Sequence, residues 1–223
     1  MQKKVIIAGA GDALGNRLTT AFSENGWKVF AGYCPEDERR EPGQNLITFG
    51  IDPRDHFYIK AAEKKVGEPV DLLIVNIDGE FGDKHGTILE DMDYDSLMEA
   101  YDYNCLGPLR IINAFLPLLE KGEGKRICVV TTKESSNNLC EDTDRFAAHL
   151  SKAPLNMALT QLFNGLRPEG YTFRVYCKDR ENGRDEWAFD YFLRNRSYEP
   201  EDLKHSDEER IVMRDFMARE MPW

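Results

Sequence analysis

Seven residues near the start of the chain, Gly9-Ala10-Gly11-Asp12-Ala13-Leu14-Gly15, have the composition of a phosphate cradle. Glycine lets bare backbone approach a pyrophosphate. A helix beginning there adds unpaired N–H groups and the positive end of its dipole. The loop follows the apolar run 5–8 and precedes residues 16–25, where Leu18, Ala21 and Phe22 fall on one helical stripe. By itself such a loop also serves merely to turn a strand into a helix, so phosphate binding needs support from other segments of the chain. A second spacing concerns His149, three residues before Lys152 and able to share part of a helical face with it. Its near-neutral intrinsic pKa suits acid–base work. The alternative is a partly exposed helical histidine, or one packed at an interface.

The elements that must position these residues alternate. Short β-branched runs at 5–8, 28–32, 45–49, 70–76, 126–132 and 171–177 read as strands. Helical patterns fill 16–25, the stretch from Asp55 to Lys65, 95–119 and 145–166. Gly26 and Gly67 come just after the first two of these helices, where a left-handed cap residue is wanted. Leu97, Tyr101, Ile111, Ile112 and Phe115 form the apolar side of the third. Met157, Leu159, Leu162 and Phe163 form that of the fourth. Strand–helix alternation predicts right-handed crossovers and an α/β fold with a doubly wound parallel sheet, helices on both faces and run 70–76 near its centre. One domain over 1–223 is expected, with 178–223 as a divergent region of it. That region should hold a short helix at 187–193 with Phe189, Tyr191 and Phe192 buried, and a solvated acidic stretch at 199–209. A last strand at 210–213 and a packed terminal Trp223 should complete it.

The net charge of −11 and pI near 4.9 argue against a nucleic-acid or anionic-membrane surface. No run reaches the length of a membrane span, and the N-terminus lacks signal-peptide anatomy. The five cysteines contain no Cys-x-x-Cys pair and fit reduced thiols in a cytoplasmic protein. The four histidines form no ligand pair, so no metal site is expected.

Several ordered segments together are similar to the short-chain dehydrogenase/reductase family of NAD(P)-dependent oxidoreductases. Ala8 to Gly15 lies on the family's Thr-Gly-x-x-x-Gly-x-Gly loop, with Ala13 at the middle glycine. Asp52, followed by Pro53, matches the Asp that contacts adenine. Val75-Asn76-Ile77-Asp78 falls on the Asn-Asn-Ala-Gly turn. Asn104, the strand at 126–132, and the segment around Ser151-Lys152-Ala153 continue the match to residue 175.

The resemblance implies a dinucleotide on Gly9, Gly11, Asp12, Ala13, Leu14, Gly15, Tyr33, Asp52, Pro53, Asn76, Ile77 and Lys152. An acidic residue ending the second strand would favour NAD and a basic one NADP. Tyr33 and Cys34 stand there instead. Asp12 pulls toward NAD, whereas Arg39 and Arg40 pull toward NADP. In family terms Lys152 is the active-site lysine and Asn104 the proton-relay asparagine. The serine position falls on Thr132 counting from the strand, or nearer Ser135 or Ser136 counting back from Lys152. The tyrosine that gives up the proton is replaced by Ala148, whose methyl group can do no such thing. Ile77 and Asp78 put bulk and charge where the nicotinamide side is lined, unless Gly79 restores the turn with a one-residue shift, and the charged run 178–185 replaces the family's Pro-Gly turn. The two long helices commonly carry a second subunit, so a homodimer or homotetramer is implied.

Three readings are open. One is a dinucleotide-holding protein that has lost Tyr-dependent carbonyl chemistry and serves as a sensor or partner subunit. Another is an active oxidoreductase with a replacement proton donor such as His149. The third is a structural protein without nucleotide. The substrate has no signature in the sequence.

Overall fold

In the computed structural model, which describes residues 2–81, 87–89, 92–193 and 209–223, the strands form one eight-stranded sheet in the order β3-β2-β1-β4-β5-β6-β7-β8. They are β1 Lys4–Ala8, β2 Lys28–Tyr33, β3 Leu46–Gly50, β4 Leu72–Val75, β5 Arg126–Thr131, β6 Thr172–Cys177, β7 Met213–Asp215 and β8 Glu220–Met221. All neighbours pair parallel except β7 and β8. β4 lies between β1 and β5, as its unbroken apolar run predicts.

Side chains alternate across the pleat and feed two apolar layers. Ile6, Phe30, Leu73, Val129 and Val175 pack with Ile59 of α2 (His56–Val66), Phe115 of α4 (Gly107–Glu120) and Leu159 of α5 (Phe146–Leu166). Val5, Ile7, Val29, Ile74 and Val130 pack on the other face with Leu18 and Phe22 of α1 (Ala13–Glu24) and Phe192 of α6 (Ala188–Leu193). The order in which successive strands are laid down reverses at β1, which has β2 on one side and β4 on the other. The carboxyl ends of β1, β4, β5 and β6 therefore open onto one crevice, the usual ligand position in such sheets.

The caps agree with the sequence. Asp55 accepts hydrogen bonds from Phe57 N and Tyr58 N to start α2, and Gly67 ends it in the left-handed region at φ 58°. The single helix expected over 95–119 is instead two. A π-helical turn, Asp102–Leu106, separates α3 (Tyr94–Tyr101) from α4, with Gly107 N donating to Asp102 O five residues back. Pro108, at the start of α4, has no N–H to offer the regular ladder, which slips by one residue there.

Three smaller expectations are corrected. Met157 is 63% exposed on α5, although Leu159 and Phe163 are buried as expected. Phe189 is half-buried, while Tyr191 and Phe192 are buried. The last strand starts at Met213, because Val175 pairs with Met213 and Cys177 with Asp215, and the chain then turns back as β8. Asp215 closes that turn by accepting from Met217 N and Arg219 N, each at 2.9 Å. Trp223 packs against the core, and its carbonyl accepts from Asn138. The acidic stretch at 199–208 lies outside the described residues.

Candidate cofactor and active-site cleft

The glycine loop spans from β1 to α1. Gly9 adopts φ 87°, and a Cβ there would lie 1.9 Å from the Asn76 carbonyl oxygen. Only glycine lets β1 and β4 release the chain so close together. A Cβ on Gly15 would lie 2.3 Å from Gly9 O, so the helix starts hard against the loop. Asp12 caps α1, accepting from Gly15 N at 2.7 Å. Ala13 is exposed in the first turn, while Leu14 is core. Asn76 donates to Gly9 O at 2.8 Å and to Asp12 Oδ1 at 2.7 Å, tying the β4 end to the loop.

At the adenosine end, Tyr33 and Pro53 are buried. Asp52 accepts from Arg54 N at 2.9 Å. Asp37, which has no distinguishing spacing in the sequence, enters the site here. It folds back beyond β2, accepts from Cys34 N at 2.8 Å, and puts its carboxyl carbon 2.1 Å from where a Gly11 Cβ would be. Its signal was the glycine itself, since Gly11 leaves room for a carboxylate supplied from the end of the second strand.

The other end is organised around Asp78. Its side chain is only 3% exposed, and Oδ1 lies 2.8 Å from Lys152 Nζ. Oδ2 lies 3.1 Å from Lys178 Nζ and accepts from Arg180 Nε at 2.9 Å. Lys178 also reaches Asp12, at 3.0 Å, and Arg180 reaches Glu80. Burial by itself would raise the Asp78 carboxyl pKa; Lys178, Lys152 and Arg180 instead hold it well below the ordinary carboxylate range. Burial lowers the Lys152 ammonium, while Asp78 holds it up. The cluster is a network of ion pairs centred on one carboxylate.

Lys152 also donates to Thr132 Oγ1 at 3.1 Å, which places the residue reached by the strand count beside the lysine. Ser135 turns instead onto the Thr132 carbonyl at 2.9 Å, because a short 3-10 turn over Lys133–Ser135 points it away. Asn104 sits in the π-helical turn and clamps Gly79 from both sides, accepting from its N at 2.8 Å and donating to its O at 3.1 Å. It also donates to Ser151 Oγ at 3.0 Å, so its role in this structure is to hold the turn that carries Asp78. Ile77 does not line the cleft; it is 3% exposed and packed in the core. The bulk expected there comes from Asp78 alone. His149 is engaged elsewhere, with Nδ1 3.0 Å from Glu134 O and Nε2 2.9 Å from Asp142 Oδ2. Both ring nitrogens of His149 thus have partners.

What lies beside Thr132 and Lys152 is a second carboxylate, Glu134, 4% exposed and 3.0 Å from Arg145. It lines a cavity of about 500 Å³ with Thr132, Lys133, Arg145, Lys178 and Arg180. Burial would raise its pKa, but the Thr132 hydroxyl, Lys152 and Arg145 bring it down to about 2 from an ordinary 4.5. A folded-state pKa below the unfolded one stabilises the fold above the ordinary carboxyl range. That stabilisation is lost as pH falls through the folded value, and a shift of this size corresponds to about 3 kcal/mol. Urea unfolding of wild type and Glu134→Gln should therefore differ most near neutrality and converge as pH falls from about 4.5 to about 2. A constant difference across that range would exclude Glu134 as the titrating group.

The sequence matches the short chain dehydrogenase family over residues 3–175. The chain belongs to that family. An uncharacterized oxidoreductase of Schizosaccharomyces pombe is 34% identical over 180 residues, covering 76% of this chain and 70% of the relative. The C-signal of Myxococcus xanthus is 38% identical over 105 residues, 46% of this chain and 60% of that protein, so the chain matches less than two thirds of its length. Among solved structures, a putative short-chain alcohol dehydrogenase from Burkholderia multivorans superposes with TM-score 0.81 at 18% identity over the whole of both chains. A putative short-chain dehydrogenase/reductase of that organism, solved with bound NADP, gives 0.75 at 18% identity, also over the whole of both chains. At such identities these structures speak for the fold.

NAD(P) is the cofactor of the short-chain dehydrogenase family, and the residues present fit it unequally. At the adenosine end the glycine cradle, the α1 N-terminus, Asp37 and Asp52 are in place. At the nicotinamide end they do not fit. Family lysines at this position hold the nicotinamide ribose, but Lys152 is already held by the Asp78 carboxylate. Among the described residues, no acid stands at position 148 to deliver a proton. No helix among the described residues is long and apolar enough to cross a membrane, and no three potential ligands gather to hold a metal ion.

Proposed function

We propose that this member of the short-chain dehydrogenase family holds the adenosine side of a nucleotide and no longer performs Tyr-dependent carbonyl chemistry, acting through binding as a sensor or partner subunit. The observation that carries this reading is the surroundings of Lys152. Its ammonium is spent on Asp78 and Thr132, and a methyl group stands one turn earlier at Ala148. Carbonyl reduction needs a proton for the developing alkoxide, and general acid catalysis typically contributes about 10²–10⁴-fold. An engaged lysine beside two ionised carboxylates supplies no such proton.

Asp37 replaces Tyr33 as the residue that would select the nucleotide. A carboxylate accepts hydrogen bonds from a free ribose diol and repels a 2′-phosphate. NAD⁺ is therefore expected to bind more tightly than NADP⁺ in calorimetric titration, with no ketone reduced by either reduced cofactor. Equal or stronger binding of NADP⁺ would remove Asp37 from this role.

The C-signal relative gives the binding role some company, since its name is that of a signal and not of an enzyme. Leu150 and Met157, 54% and 63% exposed on α5, offer apolar surface for a second copy of the chain, which sedimentation of the purified protein would detect. All five cysteines are free, which fits a reducing compartment such as the cytoplasm.

A further inference from the structure

We propose that Asp78 restricts this cleft to ligands that end at the pyrophosphate, so that it takes adenosine 5′-diphosphate in preference to an intact dinucleotide. This deepens the nucleotide reading above and depends on it.

Charge exchange at one carboxylate sets the preference. Asp78 is a full negative charge, 3% exposed, facing Lys152, Lys178 and Arg180. A nicotinamide ribose arriving at Lys152 would have to displace that carboxylate. It offers neutral hydroxyl groups in return, so Lys152 would lose its paired carboxylate inside the protein, while Lys178 and Arg180 would keep only Asp12 and Glu80. Buried charges left without a partner are strongly unfavourable, and neutral hydrogen bonds do not compensate for them. Displacement is therefore uphill however well the ribose fits.

The neighbouring machinery secures Asp78 against moving. The Gly79 that comes after it is clamped on both its N–H and its carbonyl by Asn104. Asn76, two residues before, is fastened to Gly9 and Asp12. Arg180 and Lys178 come from the segment after β6, so the far wall of the cleft is pinned to the same carboxylate.

A ligand that stops at its second phosphate makes no such demand. It reaches the glycine loop and α1 without entering the space of Asp78. Its terminal phosphate carries more negative charge than the esterified pyrophosphate of a dinucleotide. Lys178, which bridges Asp12 and Asp78 at 3.0 and 3.1 Å, is the cation at that junction.

Isothermal titration of the unmodified chain with ADP and with NAD⁺ tests this directly. ADP should bind at least as tightly as NAD⁺. In Asp78→Asn, which keeps the shape of the side chain, and in Asp78→Gly, NAD⁺ should gain about tenfold or more while ADP stays within about threefold. The proposal is overturned if NAD⁺ binds the unmodified chain about tenfold more tightly than ADP, or if both folded variants leave the ratio where it was. The unmodified ratio needs no variant to fold. Absence of binding by either ligand would instead remove the nucleotide reading itself, whereas NAD⁺ preference would leave that reading standing and sink only the role given to Asp78.

Discussion

Lys152→Met is expected to destabilise the fold by about 3 kcal/mol, the low end of what breaking a buried ion pair costs, because Lys178 and Arg180 would still face Asp78. The size of the effect comes from where the ammonium sits. It is 4% exposed, 2.8 Å from a carboxylate that is itself 3% exposed, and its other partner is the Thr132 hydroxyl at 3.1 Å. Methionine keeps most of the stem and removes only the charge. A lysine kept solely to hold a bound ribose would cost little when lost from the free protein, within about 0.5 kcal/mol. Equilibrium unfolding in denaturant separates the two. A double-mutant cycle with Asp78→Leu should show a coupling of at least about 1 kcal/mol between the positions. A cycle that closes additively would mean that the two charges do not act as a pair.

The second large effect is a gain. Ala148→Tyr by itself is expected to remain inactive, because a phenol placed one turn before Lys152 meets an ammonium already committed to Asp78. Combining it with Asp78→Gly returns a glycine to the turn after β4 and frees the lysine. The double variant should reduce simple ketones at least about 10²-fold faster than Ala148→Tyr alone, the lower bound of what a positioned acid contributes. Initial rates with NADH and NADPH read this out. If Ala148→Tyr alone gives full activity, the carboxylate of Asp78 is no obstacle. If the double variant folds, binds nucleotide and stays inactive, more than the phenol and the glycine has been lost.

The scaffold was legible because its determinants are local. Glycines at 9 and 15, apolar runs of strand length, and caps at Asp55 and Gly67 each fix one element with little help from the rest. The exception was the helix at 95–119, where apolar spacing continues smoothly through a turn that Pro108 forces into a π-helical form. The site was legible only in part. The alanine at position 148 and the unusual charge at Asp78 and in 178–185 are visible in the sequence. That these charges answer one another is not, since Asp78, Lys152 and Arg180 come from three separate segments of the chain. Counting along the chain also cannot tell which way a side chain turns. Ile77 goes into the core, Ser135 onto a backbone carbonyl and His149 toward Asp142. Asp37 and Glu134 have no signature in the sequence for the same reason, as each is an ordinary acidic residue in a charged loop until the fold brings it to Gly11 or Thr132.

On the proposed reading, the short-chain dehydrogenase scaffold persists here while its proton source is gone and its lysine has become a structural cation. Hydride transfer by the purified, unmodified chain tests it most directly, with either reduced cofactor and a panel of simple ketones and aldehydes. No turnover beyond that of the Lys152→Met variant is expected under the same conditions. Sustained carbonyl reduction that disappears in Lys152→Met would contradict it.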